Sequence, residues 1–146
     1  MLYLATDHRG LKLKNKVIAY LIDRKITFKD LGVYEYNQND NYVDQAKILS
    51  EKVLENNQNR GIIFCGSGIG VSIACNKIKG IYCGLGLTAR QVKNGVEHDH
   101  INVLAIASDE TKKFKAFALV KDFLKSKYGK EERHLARIES IKQLES

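Results

Sequence analysis

The strongest chemical signal in this 146-residue chain is the run Phe64-Cys65-Gly66-Ser67-Gly68-Ile69-Gly70. Glycines at alternate positions let a backbone turn tightly with its N–H groups pointing into one cavity. At the start of a helix, those N–H groups and the helix dipole favour negative charge. The loop therefore suits either a phosphate or the oxyanion of an enediolate. Cys65 opens the loop, and a cysteine facing such amides is expected to have its thiol pKa drawn down toward neutrality. A thiolate there could take a proton from a carbon next to a carbonyl, while Gly66, Ser67, Gly68, Ile69 and Gly70 hold the charge that develops. The plainer alternative is a buried cysteine ending a strand beneath an ordinary α/β turn. A dinucleotide fingerprint would follow the first strand and have an acidic residue later, and neither condition is met. The lysine of a P-loop is missing as well.

Three other clusters carry candidate groups. Asp7-His8-Arg9-Gly10 closes the first apolar run, where an acid and an imidazole could move protons among sugar hydroxyls. A helix cap beside a surface histidine is the bland alternative. Glu97-His98-Asp99-His100 has the residue types of a metal cluster, but residues two apart do not share a helix face, so no metal is expected. His98 also fits a polar helix C-terminus, where it would complement the dipole. Arg133-His134-Leu135-Ala136-Arg137 puts two guanidiniums four residues apart on one helix face, able to grip a phosphate dianion or simply to face solvent.

Short β-like runs alternate with longer helical ones, and these must position the groups. Strands are expected at Leu2–Ala5, Thr27–Leu31, Gly61–Phe64, Ile81–Leu85 and Asn102–Ala107. Helices are expected at Leu11–Lys25 (apolar at Leu13, Val17, Leu21 and Ile22), Asp44–Glu55 with Asp44 as N-cap, Gly70–Ile78, Thr88–Glu97, Glu110–Tyr128 with Phe114, Phe117, Val120 and Leu124 packing and Gly129 as C-cap, and Arg133–Leu144. Glu35–Asn41 is too polar for a packed element. The alternation means a three-layer α/β/α sandwich, a Rossmann-like doubly wound parallel sheet of about five strands, forming one domain over residues 1–146. Ligands of such folds collect beyond the carboxyl ends of the strands, where Asp7-His8 and the Cys65 loop both fall.

Composition narrows the function classes. The net charge of +7 could draw in anionic metabolites. Lys12, Lys14 and Lys16, like Lys112, Lys113, Lys115, Lys121 and Lys125, read as wet faces of amphipathic helices, and no nucleic-acid module is present. No apolar run is long enough to span a bilayer, and no basic segment precedes Met1–Ala5 as a signal peptide would require. Cys65, Cys75 and Cys83 make no disulfide framework, so a reducing cytoplasm is expected.

Together these pieces resemble the type-B ribose-5-phosphate isomerases and their relatives, the galactose-6-phosphate isomerase subunits. The resemblance runs from Ala5-Thr6-Asp7-His8 through Cys65–Gly70, Ala74-Cys75-Asn76-Lys77, Glu97-His98 and Asn102-Val103-Leu104 to Arg133–Arg137. It implies Cys65 as proton acceptor, His98 as the acid that opens the sugar ring, and Asp7 and His8 on the sugar or its phosphate. Gly66 to Gly70 would form the anion hole, Arg133 and Arg137 would bind phosphate, and Asp99 would lie against substrate. Where relatives with serine in place of the cysteine carry a glutamate base, this chain has Val71. It also has Asp99 for a common asparagine, Ala107-Ser108-Asp109 for a Gly-Gly-Arg-like stretch, and Tyr42-Val43-Asp44 for Tyr-Pro-Asp. The two extra carboxylates are expected to weaken binding of an anion or alter sugar preference.

The expected function is interconversion of ribose 5-phosphate and ribulose 5-phosphate through a cis-enediolate, without a cofactor. Another phosphosugar such as a hexose 6-phosphate, or a weakly active phosphosugar-binding module, are the alternatives. A Thr88–Glu97 helix spans about 15 Å at about 1.5 Å per residue, which would carry His98 away from Cys65. A homodimer, possibly a tetramer, with shared sites is therefore expected.

Overall fold

The computed structural model describes residues 1–145. Its strands are β1 (Leu2–Thr6), β2 (Phe28–Asp30), β3 (Arg60–Cys65), β4 (Cys83–Leu85) and β5 (Val103–Ala107). Its helices are α1 (Leu11–Asp23), α2 (Tyr42–Leu54), α3 (Ile69–Asn76), α4 (Ala89–Asp99), α5 (Lys113–Lys125) and α6 (Glu132–Lys142). The strands form one all-parallel sheet in the order β2-β1-β3-β5-β4. β1 and β5 are buried along their whole length, and β3 everywhere but its first residue, so their sequences are nearly unbroken apolar runs. The edge strands β2 and β4 are only three residues long, which leaves little unpaired edge.

Alternate residues of each strand serve opposite faces. Leu2, Leu4, Ile62, Phe64, Leu104 and Ile106 pack under α1, α4 and α5, whereas Tyr3, Ala5, Ile63, Val103 and Ala105 pack under α2 and α3. Among the described residues no helix is long and apolar enough to cross a membrane.

Several local expectations change. Asn41, not Asp44, caps α2, its side chain accepting from the Val43 amide at 3.0 Å. α5 stops at Lys125, because the chain goes extended at Ser126 and carries Tyr128 onto the His100 ring. Gly129 is therefore no C-cap; its amide donates to the Glu97 carbonyl at 3.0 Å. Phe114 and Ile22 face outward, and the core side of α5 is formed by Ala116, Leu119, Val120 and Phe123. The largest reversal is Lys14. It is fully buried, with Nζ 2.6 Å from Asp30 Oδ1 and 2.8 Å from the Val33 carbonyl. A lysine inside the sandwich is tolerated because its charge is paired and two of its three donors have acceptors.

Candidate active site

The chain leaves β1 for β2 on one side and comes back as β3 on the other, so the winding reverses between β1 and β3. Parallel pairing in register, with Thr6 opposite Phe64, brings the carboxyl ends of both strands side by side at that switch point. Thr6 Oγ1 is 3.1 Å from the Phe64 carbonyl, and the Asp7 amide donates to the same oxygen at 3.3 Å. Asp7 and Cys65 follow directly and are both buried.

Asp7 does two things. Its Oδ1 accepts from the amides of Arg9 and Gly10 at 3.0 and 3.1 Å, capping the 3-10 turn His8–Gly10 that leads into α1. It also stands beside the Cys65 thiol. Burial pushes that thiol's pKa up, a hydrogen bond to Asp7 and its charge push it further, and the amides of Gly68 and Gly66 oppose them. The direction is opposite to that expected from the glycine loop alone. The amides are where the loop puts them, but desolvation and a neighbouring carboxylate outweigh them.

The loop needs its glycines for different reasons. Gly68 is the N-cap of α3 in a left-handed conformation (φ 74°), and a Cβ there would come within 2.6 Å of Leu85 Cδ1. At Gly66 a Cβ would lie 2.3 Å from Arg9 Cζ, so the guanidinium rests against the loop in the space a side chain would fill. Ser67 turns its hydroxyl to the Ile69 amide at 3.2 Å.

Three neighbours were not singled out from sequence. Arg9 forms an ion pair with Asp109, so the carboxylate expected to repel an anion is neutralised by a guanidinium. Asp40 accepts from the His8 backbone amide at 2.7 Å and contacts His8 Nδ1 at 2.6 Å. The Tyr42 ring covers Gly70, where a Cβ would lie 2.6 Å from Tyr42 Cζ. Arg9 sits inside the Asp7–Gly10 motif and could have been flagged by its position. Nothing in the polar run Glu35–Asn41 distinguishes Asp40 from its neighbours.

A second group forms elsewhere. His98, on the last turn of α4, stacks on His134 of α6 with centroids 4.2 Å apart and planes 12° apart. Both rings line an open pocket of about 540 Å³ with Lys93, Lys125, Lys127, Lys130 and Glu131. Arg133 Nε donates to Glu131 at 3.0 Å and, with its charge, holds that carboxyl below its usual range. Arg133 and Arg137 are exposed on either side of the buried His134. Asp99 turns to a different hollow, against Gly84, Gln91 and Ile101, apart from the histidine–arginine group. His100 takes a left-handed conformation to end α4, its Nε2 2.8 Å from the Gly129 carbonyl.

The two groups lie at opposite ends of the sheet. Arg60, the first residue of β3, reaches the Ser126 carbonyl at 2.8 Å on the rim of the His98 pocket. Cys65 is the last residue of the same strand, about 16 Å further on at about 3.3 Å per residue. One chain thus gathers Asp7, His8, Cys65 and Gly66–Gly70 at one end, and His98, Arg133 and Arg137 at the other.

Known proteins share this arrangement of elements. A probable ribose-5-phosphate isomerase B of Mycoplasma genitalium is 34% identical over 141 residues, 96% of this chain and 92% of the relative. A crystal structure of ribose-5-phosphate isomerase B from that organism with bound ribulose 5-phosphate matches with a TM-score of 0.92 at 34% identity, covering 99% and 95% of the two chains. The Thermotoga maritima ribose 5-phosphate isomerase matches with a TM-score of 0.91 at 32% identity, covering 97% of each chain. The sequence profile of the Ribose/Galactose Isomerase family matches residues 2–141, and this chain belongs to that family.

Proposed function

We propose that the protein interconverts ribose 5-phosphate and ribulose 5-phosphate, in a site built from Cys65 of one copy and His98 of a second. The observation that carries the substrate is the Mycoplasma genitalium structure with ribulose 5-phosphate, similar to this chain over nearly its whole length. The crevice between β1 and β3 supports the chemistry.

Cys65 rests as a thiol hydrogen-bonded to the Asp7 carboxylate, and the reactive form is the thiolate left when that proton is released to solvent. The thiolate removes the proton on C2 of the open-chain aldose. The C–H electron pair becomes the C1=C2 double bond, and the carbonyl pair moves onto O1. Amides of the Gly66–Gly70 loop stabilise this enediolate at the head of α3. Transfer of the O2 proton to O1, and return of the Cys65 proton to C1, complete the ketose. His98 would protonate the ring oxygen during opening, and Arg133 and Arg137 of the same second copy would hold the phosphate through charge-assisted bonds.

Purified protein assayed on a panel of phosphosugars tests this reading. Turnover of ribose 5-phosphate and ribulose 5-phosphate well above that of hexose 6-phosphates is expected. Turnover confined to hexose 6-phosphates, or none on any phosphosugar, would overturn it.

A further inference from the structure

The polar loop Glu35–Asn41 reaches back into the crevice through the Asp40 carboxylate. Asp40 is almost buried, with a side-chain exposure of 10% against 15% for His8. Its two oxygens take two different groups of the same residue: Oδ2 accepts from the His8 backbone amide at 2.7 Å, and Oδ1 contacts His8 Nδ1 at 2.6 Å. A carboxylate has only lone pairs to offer, so the proton in the ring contact belongs to Nδ1. The Tyr36 ring closes edge-on against the imidazole at 5.0 Å. His8 is thus fixed in orientation and tautomer, and in the neutral ring Nε2 is left with a lone pair. The adjacent residue, Asp7, is the one that meets the Cys65 thiol.

We infer that Asp40 is a positioning residue, holding His8 as the Nδ1–H tautomer so that Nε2 accepts the O2 proton of the enediolate and returns it to O1. The inference rests on the reading of the crevice as a phosphosugar site. It gives the Glu35–Asn41 loop a catalytic purpose: ordering that loop makes His8 competent. Two bonds from one carboxylate could also serve as a plain backbone cap, since Oδ2 satisfies an amide at the start of a turn. Asparagine separates the two roles. Its one oxygen can still cap the amide, but its NH₂ would then face Nδ1 and drive the ring toward the Nε2–H tautomer.

Nitrogen NMR of the histidine-labelled protein reads the tautomer directly, with the His8→Ala variant identifying the His8 signals among the four histidines. Above the pH at which the ring is neutral, the unaltered protein should show His8 protonated at Nδ1 and bare at Nε2. Asp40→Asn should shift the proton to Nε2 and lower kcat by about 10²-fold, the scale of a misplaced reacting group, with little change in KM. In the His8→Ala background the same substitution should change kcat by less than about two-fold, because residues acting as one unit are not additive. An Nε2–H tautomer in the unaltered protein, or an equal loss in both backgrounds, would overturn the inference. If no phosphosugar is turned over, the functional reading fails, while the NMR result still decides whether Asp40 sets His8.

Discussion

Cys65 is asked to act as a base in surroundings that keep it protonated. Burial raises its pKa most, Asp7 adds to this, and the Gly68 and Gly66 amides recover only part. An acid with a raised pKa has less of its anion at neutral pH than free cysteine. A rate that depends on the thiolate should therefore climb with pH until beyond the ordinary thiol range. Asp7→Asn removes the carboxylate while keeping a capping oxygen, so the acid limb of kcat/KM should move to lower pH, and iodoacetamide should alkylate Cys65 faster near neutrality. A limb that stays in place or moves up would refute the assigned cause. Cys65→Ala should lower kcat by about 10²-fold or more, the scale of a general base. Cys75→Ala and Cys83→Ala should stay within about two-fold, since those free thiols belong to α3 and β4 and not to the glycine loop. Cys65 stands out in the sequence because its glycine loop adjoins it. Asp7 stands out as well, but its contact with the Cys65 thiol does not, because that contact arises only through the β1–β3 register.

At the scale of elements, alternation of apolar runs was enough to read five parallel strands between two helical layers. Polar residues inside elements were not legible in the same way. Lys14 alternates with apolar neighbours just as Lys12 and Lys16 do, yet those two face solvent and Lys14 is buried. The difference is set by Asp30 at the end of β2 and by the Val33 carbonyl, both contributed by distant chain. Gly129 and Asp44 misled for a related reason: a residue type suited to capping says nothing of a competing contact such as Tyr128 on His100. Asp30→Asn would leave the Lys14 cation buried without its counter-charge and should destabilise the fold by about 3–5 kcal/mol. Replacing the pair together, Lys14→Met with Asp30→Leu, should recover most of that loss. Urea midpoints with unchanged slopes measure both, and a single variant as stable as the parent would show that the pair contributes nothing.

For the whole molecule, the decisive fact is that the Cys65 group and the His98 group occupy opposite ends of β3. Side chains that exchange protons with one substrate must approach within about 3 Å of it, which one chain does not allow for Cys65 and His98. Cys65→Ala and His98→Ala proteins should each be nearly inactive. Unfolded and refolded together, they should form heterodimers with one intact site and one doubly damaged one. Since heterodimers are about half of a random mixture, about a quarter of the parent activity should return. No recovery, with heterodimers verified by mass, would refute the shared arrangement. This separation was foreseeable from the length of a helix, whereas the stacking of His98 on His134 was not, because it depends on where α6 docks. Under the shared arrangement, the length of a single strand makes the enzyme's output follow its own abundance. Below the dissociation constant of the pair, halving the amount of protein would cut the working sites about four-fold, because two chains must meet before either can turn over a sugar.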